Sequence, residues 1–135
     1  MACLDTTMLI DLARRGGKRR ERAFEKLQEL VRQGESLATT RFNVAELLVG
    51  VERSANRRRE QQAVRTVLGG LAVLEFDDTA AKFFAHITAH LYALGKPAGD
   101  MDVLIAATAM SAGHSLITRD LSHFCNVPQL LVETY

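Results

Sequence analysis

Asp102 to Ala112 reads Asp-Val-Leu-Ile-Ala-Ala-Thr-Ala-Met-Ser-Ala, and no polar stripe breaks it. A helix that is apolar on nearly every side has to be buried. Its small residues Ala106, Ala107 and Ala109 allow close approach to a sheet. Gly113 stops it, the apolar strand Ser115 to Ile117 follows, and Asp120 stands just past that strand. Asp100 and Asp102 lie where the helix starts, and the helix dipole and free backbone N–H groups favour a carboxylate there. A carboxylate beyond the C-terminal end of a strand lies on the edge where open α/β sheets place their ligands. The stretch therefore predicts half of an acidic site.

The remaining chain repeats the alternation of strand and helix. Ala2 to Leu4 is a short apolar strand with Asp5 directly after it, and Thr6 or Thr7 caps a helix over Met8 to Arg15. Lys18 to Gln33 carries an apolar stripe of Ala23, Phe24, Leu27, Leu30 and Val31. A strand over Glu35 to Ala38 and a helix over Arg41 to Ser54, capped by Thr39 or Thr40, come next. That helix presents Phe42, Val44, Leu47, Leu48 and Val51 as apolar positions. Asn56 opens a helix to Leu68, and Leu71 to Phe76 is a third strand. Asp77 or Asp78 caps Thr79 to Leu94, with Ala80, Phe83, Phe84, Ile87, Leu91 and Leu94 inward. After the loop Gly95 to Gly99 and the buried helix and strand, a turn at Leu121 to Phe124 leads to a last strand, Leu130 to Val132. The economical architecture is a three-layer α/β/α sandwich around a mostly parallel sheet. No repeat or linker divides residues 1–135, so they read as one domain.

At 135 residues and 47% apolar content such a domain builds its core without disulfides or structural zinc. Its two cysteines form no framework and point to a reduced, cytoplasmic chain. Asp5 and Asp11 interrupt the N-terminal apolar residues, so no signal peptide is expected, and no run approaches a membrane span. The net charge of +1 hides an uneven layout. Arg14, Arg15, Lys18, Arg19 and Arg20 cluster after the first helix, and Arg57, Arg58 and Arg59 form a second knot. A basic rim around an acidic centre suits an anionic polymer approaching a metal.

Asp5 follows the first strand, Glu46 lies within the helix after the second, Asp102 opens the buried helix, and Asp120 follows the fourth strand. In a right-handed parallel sheet all four can converge on one edge. Glu46 sits between Ala45 and Leu47, which read as buried, and an unpaired buried carboxylate is costly. Four ionised carboxylates in one small site need neutralising. Hard oxygen donors at this charge density suit Mg²⁺ or Mn²⁺, and no Cys–His cluster suggests zinc. His86 and His90 stand at i, i+4 without a third ligand and read as flank residues. His123 is a substrate-contact candidate.

At these residues the chain resembles the PIN-domain family, and within it the VapC toxin nucleases of bacterial toxin–antitoxin pairs. The matching pieces are Leu4-Asp5-Thr6, Asn43-Val44-Ala45-Glu46-Leu47-Leu48 with Gly50, Asp102 to Ala109, and Leu116-Ile117-Thr118-Arg119-Asp120 with Phe124. Four motifs in the family's order span nearly the whole chain. The resemblance implies a Mg²⁺- or Mn²⁺-dependent endoribonuclease whose acidic, metal-holding site is Asp5, Glu46, Asp102 and Asp120. Hydrolysis would use a metal-activated water. Thr6 and Thr118 would line the site. Asp100 fits a helix cap better than a further ligand and stands as an auxiliary candidate. The resemblance also implies a homodimer and a cognate VapB-like antitoxin that blocks the site. Arg14, Arg15, Lys18, Arg19 and Arg20 are placed to hold RNA phosphates.

A different class is open as an alternative: a PIN-fold binding module that acts in an antitoxin–operator complex with little nuclease turnover. A haloacid-dehalogenase-like phosphatase fails because Thr7 stands where a second Asp is needed. No nucleotide-binding or redox motif is present.

Overall fold

A computed structural model describes Met1–Tyr135. Five strands, β1 (Ala2–Leu4), β2 (Leu37–Thr40), β3 (Ala72–Leu74), β4 (Ser115–Ile117) and β5 (Val132–Glu133), form one sheet in the order β3-β2-β1-β4-β5. Every pairing is parallel. The helices are α1 (Thr6–Ala13), α2 (Lys18–Arg32), α3 (Arg41–Arg53), α4 (Arg57–Leu68), α5 (Asp78–Ala93) and α6 (Asp100–Ser111), with a 3-10 turn at Leu121–His123.

Side chains alternate across a strand, and here each face of the sheet supplies its own core. Ala2, Leu4 and Ile117 pack with Met8, Leu9, Leu12, Leu30 and Val51 from α1, α2 and α3. Cys3 and Leu116 face the other way, against Ile87, Leu91, Ile105, Ala106 and Ala109 of α5 and α6. Ala106, Ala107 and Ala109 are completely buried, so α6 is the enclosed helix its composition predicts. Burial, and secondarily the charge of Asp5, pushes the Cys3 thiol up to about 12, which makes it an inert core residue. Cys3 and Cys125 are both free. No helix is long and apolar enough to cross a membrane.

Several boundaries differ from the expected ones for local reasons. The second strand is Leu37–Thr40, not Glu35 to Ala38. β-branched Thr39 and Thr40 continue the extended chain, and Thr39 Oγ1 donates to Leu4 O at 2.8 Å, fastening β2 to β1. The last strand is Val132–Glu133, because its ladder continues Leu116 and Ile117 of β4. The first helix starts at Thr6 and ends at Ala13. Val31, Leu48 and Leu94 are exposed, not inward. Leu94 is the C-cap of α5, beyond its last full turn, and Leu48 lies off the Val44–Leu47–Val51 stripe that meets the sheet.

Candidate active site

β1 and β4 are neighbours, paired in register from Ala2↔Ser115 to Leu4↔Ile117. Their C-terminal ends therefore release Asp5 and Thr118 side by side. The Asp5 amide extends the ladder by donating to Ile117 O at 2.9 Å. Thr118 Oγ1 donates to Asp5 Oδ2 at 2.8 Å, Thr7 Oγ1 donates to the same oxygen at 3.4 Å, and Asn43 Nδ2 donates to Oδ1 at 3.1 Å. Asp5 is only 5% exposed. Thr118 Oγ1 in turn accepts the Asp120 N–H at 3.1 Å, which sets the turn that carries Asp120.

The second strand delivers the other half. Thr40 caps α3 through a reciprocal box with Asn43: the Asn43 N–H donates to Thr40 Oγ1 and the Thr40 N–H donates to Asn43 Oδ1. The box fixes Asn43 with its amide nitrogen aimed at β1. That nitrogen donates to Thr6 Oγ1 at 2.9 Å as well as to Asp5. Thr6 Oγ1 then donates to Glu46 Oε1 at 2.6 Å. Glu46, one turn beyond Asn43 on α3, is thus tied to Asp5 through one amide and one hydroxyl. It is half-buried, and its neighbour Ala45 is exposed, contrary to the expectation that Ala45 is buried; Ala45 lies off the helix's apolar stripe. Solvent reaches Glu46 from that side.

Asp102 is the third residue of α6, whose N-cap is Gly99. Its carboxyl is held above the usual range by burial first, with the charges of Asp5 and Asp120 adding and nearby His123 opposing. Asp5 is likewise raised, by burial first and also by Asp120, against the hydrogen bonds from Thr118 and Asn43. The mutual repulsion among Asp5, Asp102 and Asp120 places these three in one electrostatic site. His123 Nδ1 lies 3.6 Å from Asp102 Oδ2, at the mouth. Asp100 is the first, exposed residue of α6, at the same helix start.

The donor set is all oxygen: four carboxylates and the hydroxyls of Thr6, Thr7 and Thr118. It fits a hard divalent cation, whose charge offsets the burial that chiefly raises Asp5 and Asp102 and the carboxylate repulsion that adds to it. No three His, Cys, Asp or Glu side chains stand close enough for a ready-made cage.

Of the basic candidates, Arg14 and Arg15 line a cavity of ≈ 410 Å³ together with Glu46. Arg20 joins Arg14 in a larger neighbouring one, and Lys18 and Arg19 line neither. Sequence reasoning missed Asn43 and Thr7 as site residues, although Asn43 three residues after a Thr cap carries the capping-box spacing. It also missed Asp11. Completely buried in α1, Asp11 accepts from Arg14 Nε at 3.2 Å, Arg119 Nε at 2.9 Å and the Tyr135 hydroxyl at 2.8 Å. The Arg119 N–H donates to Thr7 Oγ1 at 3.1 Å, so this knot abuts the site.

Asn43→Ala is expected to cost about 2 kcal/mol: roughly 1 for the cap and the rest for buried groups left without partners. Urea unfolding checks it, and an unchanged midpoint would show that the box does not hold α3 in place.

The PIN-domain family profile matches residues 2–130. Ribonuclease VapC2 of Haemophilus influenzae is 30% identical over 132 residues, covering 98% of this chain and 96% of that protein. The fold superposes on VapBC2 of Rickettsia felis, bound to a DNA fragment of its promoter, with a TM-score of 0.90 over 99% of this chain and 98% of that one at 22% identity. DNA-bound VapBC of Salmonella typhimurium gives 0.83 at 26% identity over the same shares. With its sheet order, its acidic edge and these matches across its full length, the chain belongs to the PIN-domain family, in its VapC branch.

Proposed function

We propose that this protein is a VapC-type toxin: a divalent-metal-dependent endoribonuclease of the cytoplasm, acting as a homodimer and inhibited by a VapB-like antitoxin. The single observation that carries the reading is the convergence of Asp5, Asp102 and Asp120 on one sheet edge, with Glu46 joined to them through Thr6 and Asn43. The similarity to a ribonuclease VapC and to VapBC complexes supports it.

Asp5, Glu46, Asp102 and Asp120 would hold Mg²⁺ or Mn²⁺. When bound, the cation supplies activation of the attacking water and neutralises charge at the scissile phosphate. The chain's own residues do the positioning. Thr118 and Asn43 fix both oxygens of Asp5, so that carboxylate cannot swing away from the site. Thr6 orients Glu46, and Thr118 orients Asp120 through its backbone N–H. Asp102 is part-exposed beside His123, whose Nδ1 lies 3.6 Å from its Oδ2.

The test is cleavage of total cellular RNA by the purified, antitoxin-free protein with Mg²⁺, with Mn²⁺ and with EDTA. Discrete fragments that require metal and vanish in Asp102→Asn are expected. Folded protein that cuts nothing with either metal would leave the binding module acting on operator DNA as the better reading.

A further inference from the structure

A cavity of ≈ 640 Å³ forms a groove between α1, α2 and α4, and none of the four carboxylates lines it. Four arginines line it: Arg14 just past α1, Arg20 on α2, and Arg58 and Arg59 on α4. Arg58, Gln62 and Thr66, spaced at i, i+4 and i+8, form a row of polar groups along one face of α4. No acidic residue lines the groove. Only Arg14 has a carboxylate partner, Asp11, which meets it from the core side.

Arg20 is held in place. Its guanidinium carbon lies 4.4 Å from the centroid of the Phe24 ring, and its Nε is buried without a hydrogen-bond partner. Guanidiniums gathered in one concavity repel unless an anion joins them, and their planar forks match phosphate oxygens. The groove adjoins a ≈ 410 Å³ cavity that reaches Glu46 and shares Ala13, Arg14 and Arg59 with it, Glu60 being the other acid there. A polyanion with one phosphate at the carboxylates has its neighbouring phosphates led along Arg14 and Arg59 towards Arg58 and Arg20.

We infer that this groove binds backbone phosphates of the RNA strand away from the bond that is cut, with Arg14, Arg20, Arg58 and Arg59 as the phosphate-holding residues. The inference rests on the ribonuclease reading and adds where the rest of the substrate lies. Contacts of this kind fix register without reading sequence.

The test is equilibrium binding of a fluorescent single-stranded RNA to the full chain carrying Asp102→Asn, which leaves the RNA uncut. Affinity is measured across a salt series, with and without Arg58→Gln and Arg59→Gln together. Each phosphate contact contributes roughly 0.7 to the slope of log K against log salt. The double variant is expected to lose about 1.4 of that slope and to bind roughly tenfold more weakly at low salt. Lys82→Gln, on an exposed site of α5, should change neither. Thermal unfolding by circular dichroism accompanies each arm. A pair of Arg14→Gln and Arg20→Gln tests the opposite wall, and alone carries the test if the first pair unfolds.

An unchanged slope in both folded pairs would overturn the inference. Unchanged RNA binding with weakened binding of poly-glutamate would also overturn it, by assigning the groove to an acidic protein segment. Failure of the ribonuclease reading shows separately, as absence of metal-dependent cleavage by the unsubstituted chain.

Discussion

Asp5→Asn is expected to abolish metal-dependent cleavage and yet leave a protein at least as stable as the parent. Loss of partners that merely orient a metal ligand costs about 10–100-fold, so loss of a ligand itself should exceed about 100-fold. The fold tolerates the change because its contacts are adaptable. The new amide can keep its oxygen towards Asn43 Nδ2 and turn its nitrogen towards Thr118 Oγ1, a hydroxyl that can accept as well as donate. The stability gain comes from the raised pKa of Asp5, which burial and Asp120 hold above the ordinary 3.8. A native carboxyl that holds its proton more tightly than the unfolded one stabilises the fold while protonated, and the benefit fades as pH rises through the raised value. The parent therefore carries a deficit at neutral pH that Asp5→Asn removes. Measured without metal, the stability difference should be near zero below about pH 4, grow on going upward, and level off above the raised pKa. Mg²⁺ should raise the melting temperature of the parent and not that of the variant. A variant destabilised equally at pH 3 and pH 7 would mean that Asp5 is a structural cap.

Three of the four carboxylates sit at punctuation marks that the sequence shows, whereas Glu46 lies inside α3. Asp5 and Asp120 follow apolar strands, and Asp102 opens a helix with no polar face, so their positions needed only local pattern. Ser115–Ile117 was bounded correctly because Gly113 and the apolar triplet leave one choice. What joins the quartet was not legible. Asn43 reaches Asp5 only because β2 lies beside β1, and Thr7 meets Thr118 only because β4 lies on the other side. Strand order is a long-range property, and a short polar side chain carries no mark of which distant carboxylate it will meet. The basic runs show the same limit. Arg14 and Arg20 stand in one cluster with Lys18 and Arg19, yet helix phase and the approach of α4 turn only the first two into the groove.

Asp11 had a signal that was open to reading: a carboxylate inside Leu9-Ile10-Asp11-Leu12, on the stripe that α1 buries. An ionisable side chain there must have partners. Of its three donors Arg14 lies one turn away, while Arg119 and Tyr135 come from beyond β4, so Asp11 clasps α1 to the end of the sheet. Burial first, then the bond to Asp11 and its charge, drives the Tyr135 hydroxyl well above its usual range, which keeps it a neutral donor at any physiological pH. Asp11→Ala strands a hydroxyl and two guanidiniums. Breaking a buried pair costs about 3–5 kcal/mol, and the part exposure of Arg14 and Arg119, 44% and 30%, trims this to about 2–4. With a urea slope of roughly 1–3 kcal/mol per molar, the midpoint should fall by about 1–2 M. Cleavage should fall too, in kcat through the active edge and in KM through Arg14, which loses the carboxylate that holds it beside the groove. The Arg119 backbone N–H donates to Thr7 Oγ1, and the adjoining Thr118–Asp120 turn carries Asp120, so a shift of Arg119 reaches the reacting edge. Asp11→Asn, which preserves shape and one acceptor, should lose less on both counts. An Asp11→Ala protein that unfolds at the parental urea concentration would show that solvent satisfies all three donors. A variant that is destabilised but retains full kcat would confine Asp11 to holding α1 against the sheet, with no hand in the active edge.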